Sequence, residues 1–462
     1  MSRTLRLALV FVLFLSPVAA WAHAHLKRTE PPSGSRLTSA PNVIRLWFSE
    51  RPESSLTVVS LKDANGKAVA LTAPQNDRDN PLMIAVRVSQ PLPDGRYTVA
   101  WQTAGSDGHP SHGAFSFVVL TEEPARPNAS GLQGDVAQET NPGALSTGVS
   151  STRGENVEES DVASSMTNSF ARAFSFVGLL MLIGATTFRA LVLPRPRGIS
   201  IELKARMEQR AAVLGLVASF LVIVGALAKG FLMSQMMSAM PDVHVMSMTD
   251  VAMHTRWGRA FRLELGMATV AFLSFALAAR RVRGAWVVAS ISGLVLAATP
   301  ALAGHAAATP RFTSLMIFTD YLHVIGGASW LGSLLAVMVV GVPVSLTLAG
   351  VERWSSIASL VNSFSPTALA SVSIVVVSGA IASFVHLEDV SALWQTPYGQ
   401  VLLLKLFLVA ITLSIGAYNF RGVQPQLLTE VGSARLRLST AIELAAGFLI
   451  LLVTGFLTGI SP

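Results

Sequence analysis

From Phe170 onward the chain is dominated by eight apolar stretches of roughly 20 residues, and this constrains the fold more than any other feature. They run near 170–193, 211–233, 260–279, 285–303, 313–341, 356–385, 400–420 and 438–459. Each is long enough to cross the hydrocarbon core of a bilayer. A backbone in lipid must satisfy its own hydrogen bonds, so these spans are expected to be helices. The composition agrees: 51% of the 462 residues are hydrophobic and only 13% are charged, about half the charge of an average soluble domain. An ordinary soluble enzyme and a disordered chain are both excluded.

The net charge of +7 first invites a nucleic-acid reading, but its location argues otherwise. Residues 169–462 carry 20 basic and 11 acidic side chains, so the excess lies in the apolar part. Here it reads as a topology signal. Arg3 and Arg6 precede an apolar run from Leu7 to about Val18, and Ala20-Trp21-Ala22 follows. That is the pattern of a secretory signal over residues 1–22, with cleavage expected after Ala22. Export places the start of the first span outside, and alternation then assigns every loop. Thirteen Lys and Arg fall on inside loops, against Arg172, Arg256, Arg259 and Arg311 outside. The positive-inside rule therefore agrees with the signal. The expectation is a multi-pass protein of a bacterial inner membrane with its N-terminal domain in the periplasm.

Residues 23–120 read as a soluble β domain. Val43–Glu50, Leu56–Lys62, Leu82–Ser89, Tyr97–Thr103 and Ala114–Leu120 are rich in β-branched and aromatic residues, and several alternate apolar with polar. Asn65-Gly66 marks a hairpin turn, and Pro93-Asp94-Gly95 marks another. About 98 residues with strands at this spacing suit a small β-sandwich. There are no cysteines, so disulfides and thiolate metal sites are ruled out and any metal must use His, Met, Asp, Glu or backbone. Cleavage after Ala22 would make His23 the N-terminus, whose amine and imidazole Nδ1 can chelate one ion together. Asp107-Gly108-His109 places a carboxylate and an imidazole on one loop. Together these form an N,O donor set that suits tetragonal Cu(II).

His23-Ala24-His25-Leu26, Pro31-Pro32-Ser33-Gly34-Ser35, Leu46-Trp47-Phe48-Ser49-Glu50, Leu92 to Val99, Ser106-Asp107-Gly108-His109 and Gly113-Ala114-Phe115-Ser116-Phe117 together resemble the CopC copper-binding domain. The resemblance implies an immunoglobulin-like β-sandwich that binds Cu(II) through His23, Asp107 and His109. Some members carry a Met-rich Cu(I) site as well; here the domain has only Met83. His25 is a candidate auxiliary ligand. His112 is either a further ligand or a surface residue.

Residues 121–169 are rich in Ser, Gly, Asn, Glu and Pro and are expected to form a flexible acidic linker. A coil of roughly 45 residues spans about 35–40 Å, enough to bring the β domain to the membrane.

The remaining histidines fall on the outer half of the eight-span scheme. His244 and His254 lie between spans two and three, His305 ends span four, His323 lies about ten residues into span five, and His386 ends span six. Seven of the fifteen methionines lie between Met233 and Met253. Thioethers suit Cu(I), but at helical spacing Met233, Met236, Met237 and Met240 equally suit packing. Met246 and Met248, beside His244, are candidate metal contacts.

His323 to Gly332, Phe364-Ser365-Pro366, Ser378-Gly379 and Thr396-Pro397-Tyr398-Gly399 with Leu404-Lys405 resemble the CopD copper-resistance membrane domain, and Arg256-Trp257-Gly258-Arg259 resembles an earlier copy of the last element. The resemblance implies copper passage across, or reception at, the inner membrane. Lys229, Glu264, Asp320, Lys405 and Glu443 lie within spans, where ionisable groups are costly and face a bundle interior. Asp320 and His323 are three apart and share a helix face, so the carboxylate is a candidate to hold the ring or relay protons.

The whole is thus expected to be multidomain: an exported β-sandwich on residues 23–120 and an all-α eight-helix transmembrane bundle on 170–462. It is read as a copper protein without enzymatic activity, with copper ions, the bilayer and other periplasmic copper carriers as partners and no nucleic acid. The favoured function is periplasmic capture of Cu(II) and transfer inward, with Cu(I) as the alternative oxidation state in the membrane. Two other readings stand beside it: a membrane-anchored copper buffer or sensor, and a haem redox protein using transmembrane His.

Overall fold

A computed structural model describes residues 26–49, 51–77, 79–105, 110–120, 154–196, 198–238, 249, 252–253, 255–303, 312–386 and 389–458. The β domain is two sheets. One runs β1 (Leu26–Glu30), β3 (Val43–Phe48), β7 (Met83–Arg87), β6 (Gln75–Asn76). The other runs β2 (Arg36–Leu37), β9 (Pro110–Val119), β8 (Gly95–Ala104), β4 (Val58–Lys62), β5 (Ala68–Val69). Alternation along β3 and β9 turns Ile44, Leu46, Phe48, Phe115, Phe117 and Val119 into the shared core, where they meet Leu61, Ile84 and Val99. The expected Asn65-Gly66 turn joins β4 to β5, with Gly66 at φ +79° where only glycine is unstrained. Tyr97 Oη donates to Pro93 O at 2.8 Å and closes the second expected turn.

The rest is helical. Among the described residues eight helices are long and apolar enough to cross a membrane: α1 (Ser169–Val192), α2 (Ile201–Gln235), α3 (Trp257–Ala279), α4 (Ala285–Leu302), α5 (Thr313–Ser345), α6 (Gly350–Val385), α7 (Pro397–Gln426) and α8 (Glu430–Leu457). The first begins earlier than the sequence suggests. Its helix starts at Gly154, so residues 154–169, expected to belong to the linker, are helical.

Small residues recur at buried positions of the membrane helices, and many large apolar ones are exposed. On α2, Ala211, Ser219, Val222 and Ala226 are buried, whereas Phe220 and Phe231 are exposed, as are Leu369, Phe407 and Leu438 on other spans. Small residues let helices approach, and exposed apolar side chains suit lipid contact. At the seam of α1 and α5 the approach is backbone to backbone, Gly184 against Gly332.

Three spans start with one device. Thr255, Thr396 and Thr429 each cap a helix by accepting from the backbone N–H of Gly258, Gly399 and Gly432, at 2.8, 3.0 and 3.0 Å. The likeness between the starts of α3 and α7 noted in the sequence thus has a local physical basis, and α8 shares it. α5 departs from the regular helix at two π-helical turns, Ala328–Gly332 and Val337–Gly341, and α7 at a third, Asn419–Val423.

Candidate copper-handling sites

The β domain positions its candidate ligands through strand pairing. β8 and β9 pair without a break from Gly95↔Val119 to Ala104↔Pro110, so Asp107 and His109 fall in sequence between two paired strand ends. β1 starts three residues after His23 and pairs Leu26 with Phe48. Phe48 packs edge to face on Trp101, ring centroids 5.2 Å apart. Trp101 lies three residues, about 10 Å of strand, before Ala104. The start of β1 and the β8–β9 connection are therefore at the same end of the sandwich. Gly113 permits this packing, since a Cβ there would stand 2.8 Å from the Trp101 ring. His23, His25, Asp107 and His109 themselves lie outside the described residues. His112 is in β9 opposite Gln102, on the exposed face, because its neighbour Gly113 faces the core ring. It belongs to a strand and not to the loop.

In the membrane half, His244, Met246, Met248, His254 and His305 lie outside the described residues, and His386 is the last residue of the helix that contains α6. Met233 is buried in α2, which fits its packing role. The Met253 sulfur receives a hydrogen bond from Arg262 Nη1 at 2.6 Å.

His323 is half-buried on α5, and its Nδ1 lies 3.0 Å from Ser378 Oγ on α6. The Ser378 hydroxyl has one proton, and Ile374 O accepts it at 2.6 Å. With that proton so placed, Ser378 Oγ can accept from His323 Nδ1, and the Val375 backbone is a further hydrogen-bond partner of the ring. Gly379 makes room for the ring, since a Cβ there would stand 3.3 Å from His323 Cε1. Asp320, one turn earlier, does not hold the imidazole. It lies within electrostatic reach of Lys405 and Tyr398 on α7 instead, and Lys405 also acts on His323. Asp320 is eight residues into α5, Lys405 nine into α7, and Ser378 seven from the end of α6. At 1.5 Å per residue all three stand roughly 10–15 Å below one membrane face. Chain alternation gives that end of the bundle the ends of α2, α4 and α6 and the starts of α3, α5 and α7.

Two further polar groups, one half-buried and one buried, lie elsewhere. Lys229 Nζ on α2 contacts both oxygens of Glu264 on α3 at 2.7 Å, a closed ion pair. Glu443 on α8 accepts from Asn419 Nδ2 on α7 at 3.0 Å. The sequence marks Lys229, Glu264 and Glu443 as lying within spans, but it marks neither Asn419 as the partner of Glu443 nor Ser378 as the partner of His323. Among the described residues no three His, Asp or Glu converge as a metal site.

Comparison with known proteins follows the same division. Residues 26–120 match the CopC domain model, 163–311 the copper resistance protein D-like N-terminal domain, and 358–457 the copper resistance protein D model. The copper transport protein CutJ of Bacillus subtilis (strain 168) is 25% identical over 441 residues, 95% of this chain and 74% of CutJ. Protein YobA of Escherichia coli (strain K12) is 33% identical over 120 residues, 26% of this chain and 96% of YobA. Among solved structures, CopC of Methylosinus trichosporium OB3b is 26% identical, covering 21% of this chain and 93% of that one, with a TM-score of 0.20. PcoC, a methionine-rich copper resistance protein of Escherichia coli, is 29% identical, covering 21% and 99%, also with a TM-score of 0.20.

Proposed function

We propose, for a chain that belongs to the CopC and CopD copper-resistance families, that it captures Cu(II) in the periplasm and passes copper inward through its membrane bundle. The observation that carries this reading is the joining of the two family domains in one multi-pass chain. Copper is cargo here, and the role is not enzymatic. The capture site is His23, with its free amine, together with Asp107 and His109. The pairing of β1 with β3 and of β8 with β9 supports it, because both put the flanking strand ends at one end of the sandwich. Residues 121–153 lead from this domain to the first helix, and the domains divide as residues 1–22, 23–120, a linker, and the bundle. The positive-inside count supports a periplasmic β domain.

Copper released from capture meets a face carrying His244, Met246, Met248, His254, His305 and His386. His323 is the first ligand within the membrane, because its ring is oriented by a hydrogen bond from Nδ1 to Ser378 Oγ on the neighbouring span. Asp320 and Lys405 lie in the same cluster, with Lys405 within electrostatic reach of both Asp320 and His323. His25 and His112 are auxiliary, with His112 on an exposed strand face. The buffer or sensor reading is favoured by one observation, that no three ligands converge in the bundle among the described residues. The haem reading would require a second His facing His323, and among the described residues it is Ser378 that faces it.

The capture site is tested by titrating the purified, signal-cleaved chain with Cu(II). His23→Ala is expected to weaken binding by orders of magnitude, and so is a chain whose signal is left uncleaved. Equal affinity in all three would refute the N-terminal chelate.

A further inference from the structure

Glu443 is the fourteenth of the 28 residues of α8, and it is 3% exposed. Packing does not call for a carboxyl at the centre of an apolar span. Such a group is ordinarily offset by a cation, as Glu264 is by Lys229. Among the described residues no charged group on α1, α5, α6 or α7 bears on Glu443. The groups that do are neutral: Asn419 on α7 and Trp330 on α5. Asp320, His323 and Lys405 form the separate cluster nearer one face, and Arg421, two residues beyond Asn419, is exposed.

The hydrogen bonding at this node is unbalanced. Asn419 Nδ2 donates to Glu443 Oε2 at 3.0 Å, and the Trp330 side chain, which can only donate, bonds the same carboxyl. Asn419 Oδ1 is buried and has no hydrogen-bond partner among the described residues. On the other side, Gly416 leaves space for the carboxyl, since a Cβ there would lie 3.4 Å from Oε1. The node therefore has two donors for a carboxylate and one unused acceptor beside it. An unused acceptor is what a carboxylic acid needs. Turning the Asn419 amide about its terminal torsion presents Oδ1 to an O–H on Glu443.

We propose that Glu443 is a proton-binding site at the middle of the membrane domain, with Asn419 as its two-way hydrogen-bond partner. In one arrangement Nδ2–H donates to the carboxylate. In the other a hydronium proton bonds to Oε2 and leaves water, the Nδ2–H···Oε2 bond breaks, and the new O–H donates to Oδ1. No electrons change hands. Both partners sit on π-helical turns, Trp330 within Ala328–Gly332 and Asn419 at the start of Asn419–Val423. Such turns interrupt the regular backbone ladder and recur where helices carry function. The site involves α5, α7 and α8 only, and it stands whether or not copper passes through the bundle.

The test is labelling of the full chain in liposomes with dicyclohexylcarbodiimide, which attacks protonated carboxyls in apolar surroundings, read by peptide mass spectrometry across a pH series. Glu443 is expected to be labelled at low pH and to lose labelling as pH rises. The infrared carboxylic C=O band should follow the same course and disappear in Glu443→Gln. Asn419→Leu, which removes the acceptor, should shift the pH at which labelling is lost. Glu443 that is unlabelled at every pH, or labelled equally at every pH, would overturn the proposal. The wild-type series decides this by itself, even if a variant fails to fold.

Discussion

Two glycines five residues apart on α5 should respond to alanine in opposite ways. At Gly332 a Cβ would stand 2.1 Å from Leu180 O and 2.8 Å from Gly184 Cα on α1. Ordinary contact begins at 3.4 Å, so the Leu180 carbonyl would have to retreat by the difference, 1.3 Å. That oxygen is backbone inside a helix, so no side-chain rotation relieves the clash and a whole turn of α1 must move. Overpacking of this kind costs about 1–3 kcal/mol, and rigid backbone puts Gly332→Ala at the upper end. At Gly327 nothing lies within 4 Å of the added atom, and its backbone is helical at φ −62°. Gly327→Ala should therefore be neutral or stabilise by up to about 1 kcal/mol. The assay is equilibrium unfolding of the purified chain in mixed micelles under increasing denaturing detergent, with a gap of roughly 2–4 kcal/mol expected between the variants. Adding Gly184→Ala to Gly332→Ala should cost less than the sum, because one separation of the helices accommodates both methyls. Equal stability of Gly332→Ala and Gly327→Ala would refute the backbone seam.

Two further outcomes follow from buried polar contacts. Lys229→Met alone should destabilise the bundle by about 2–3 kcal/mol, below the usual cost of breaking a buried pair because these side chains keep 20% and 13% exposure. The same unfolding assay should show most of that loss restored in Lys229→Met/Glu264→Leu. In the β domain, burial and the nearby Asp63 and Asp94 push the Tyr97 hydroxyl above its ordinary ionisation range. Its contribution is fully present below a pH of about 10, where the unfolded chain ionises, and is lost as pH rises through the folded value. Hydrogen exchange across β8 and β9 should therefore accelerate above that pH in the wild type and less steeply in Tyr97→Phe.

Hydropathy and alternation were enough to locate the eight spans and the main strands, because burial in lipid or in a sandwich core leaves a one-dimensional trace. The caps at Thr255 and Thr396 were not read, because only the resemblance between Arg256-Trp257-Gly258 and Pro397-Tyr398-Gly399 stood out, not the hydroxyl that precedes each. What could not be read is what joins elements far apart in the chain. Ser378 is an ordinary residue of an apolar span until α6 lies against α5 and its hydroxyl meets His323. Asp320 was paired with His323 on helical spacing alone, whereas tertiary packing turns it toward Lys405. Asn419 carries no periodic signal, and the π-helical turns that hold it and Trp330 depend on packing rather than on local propensity. The early start of the first helix at Gly154 was hidden by a polar composition that resembles a linker.

The central claim, that copper crosses the bundle by way of His323, is tested most directly in liposomes holding the full chain with its β domain outward and a copper indicator trapped inside. Copper added outside should reach the indicator with the wild-type chain. It should fall to the rate of protein-free vesicles with His323→Ala, while Cu(II) binding by the β domain is retained. Wild-type entry no faster than in protein-free vesicles would contradict the account.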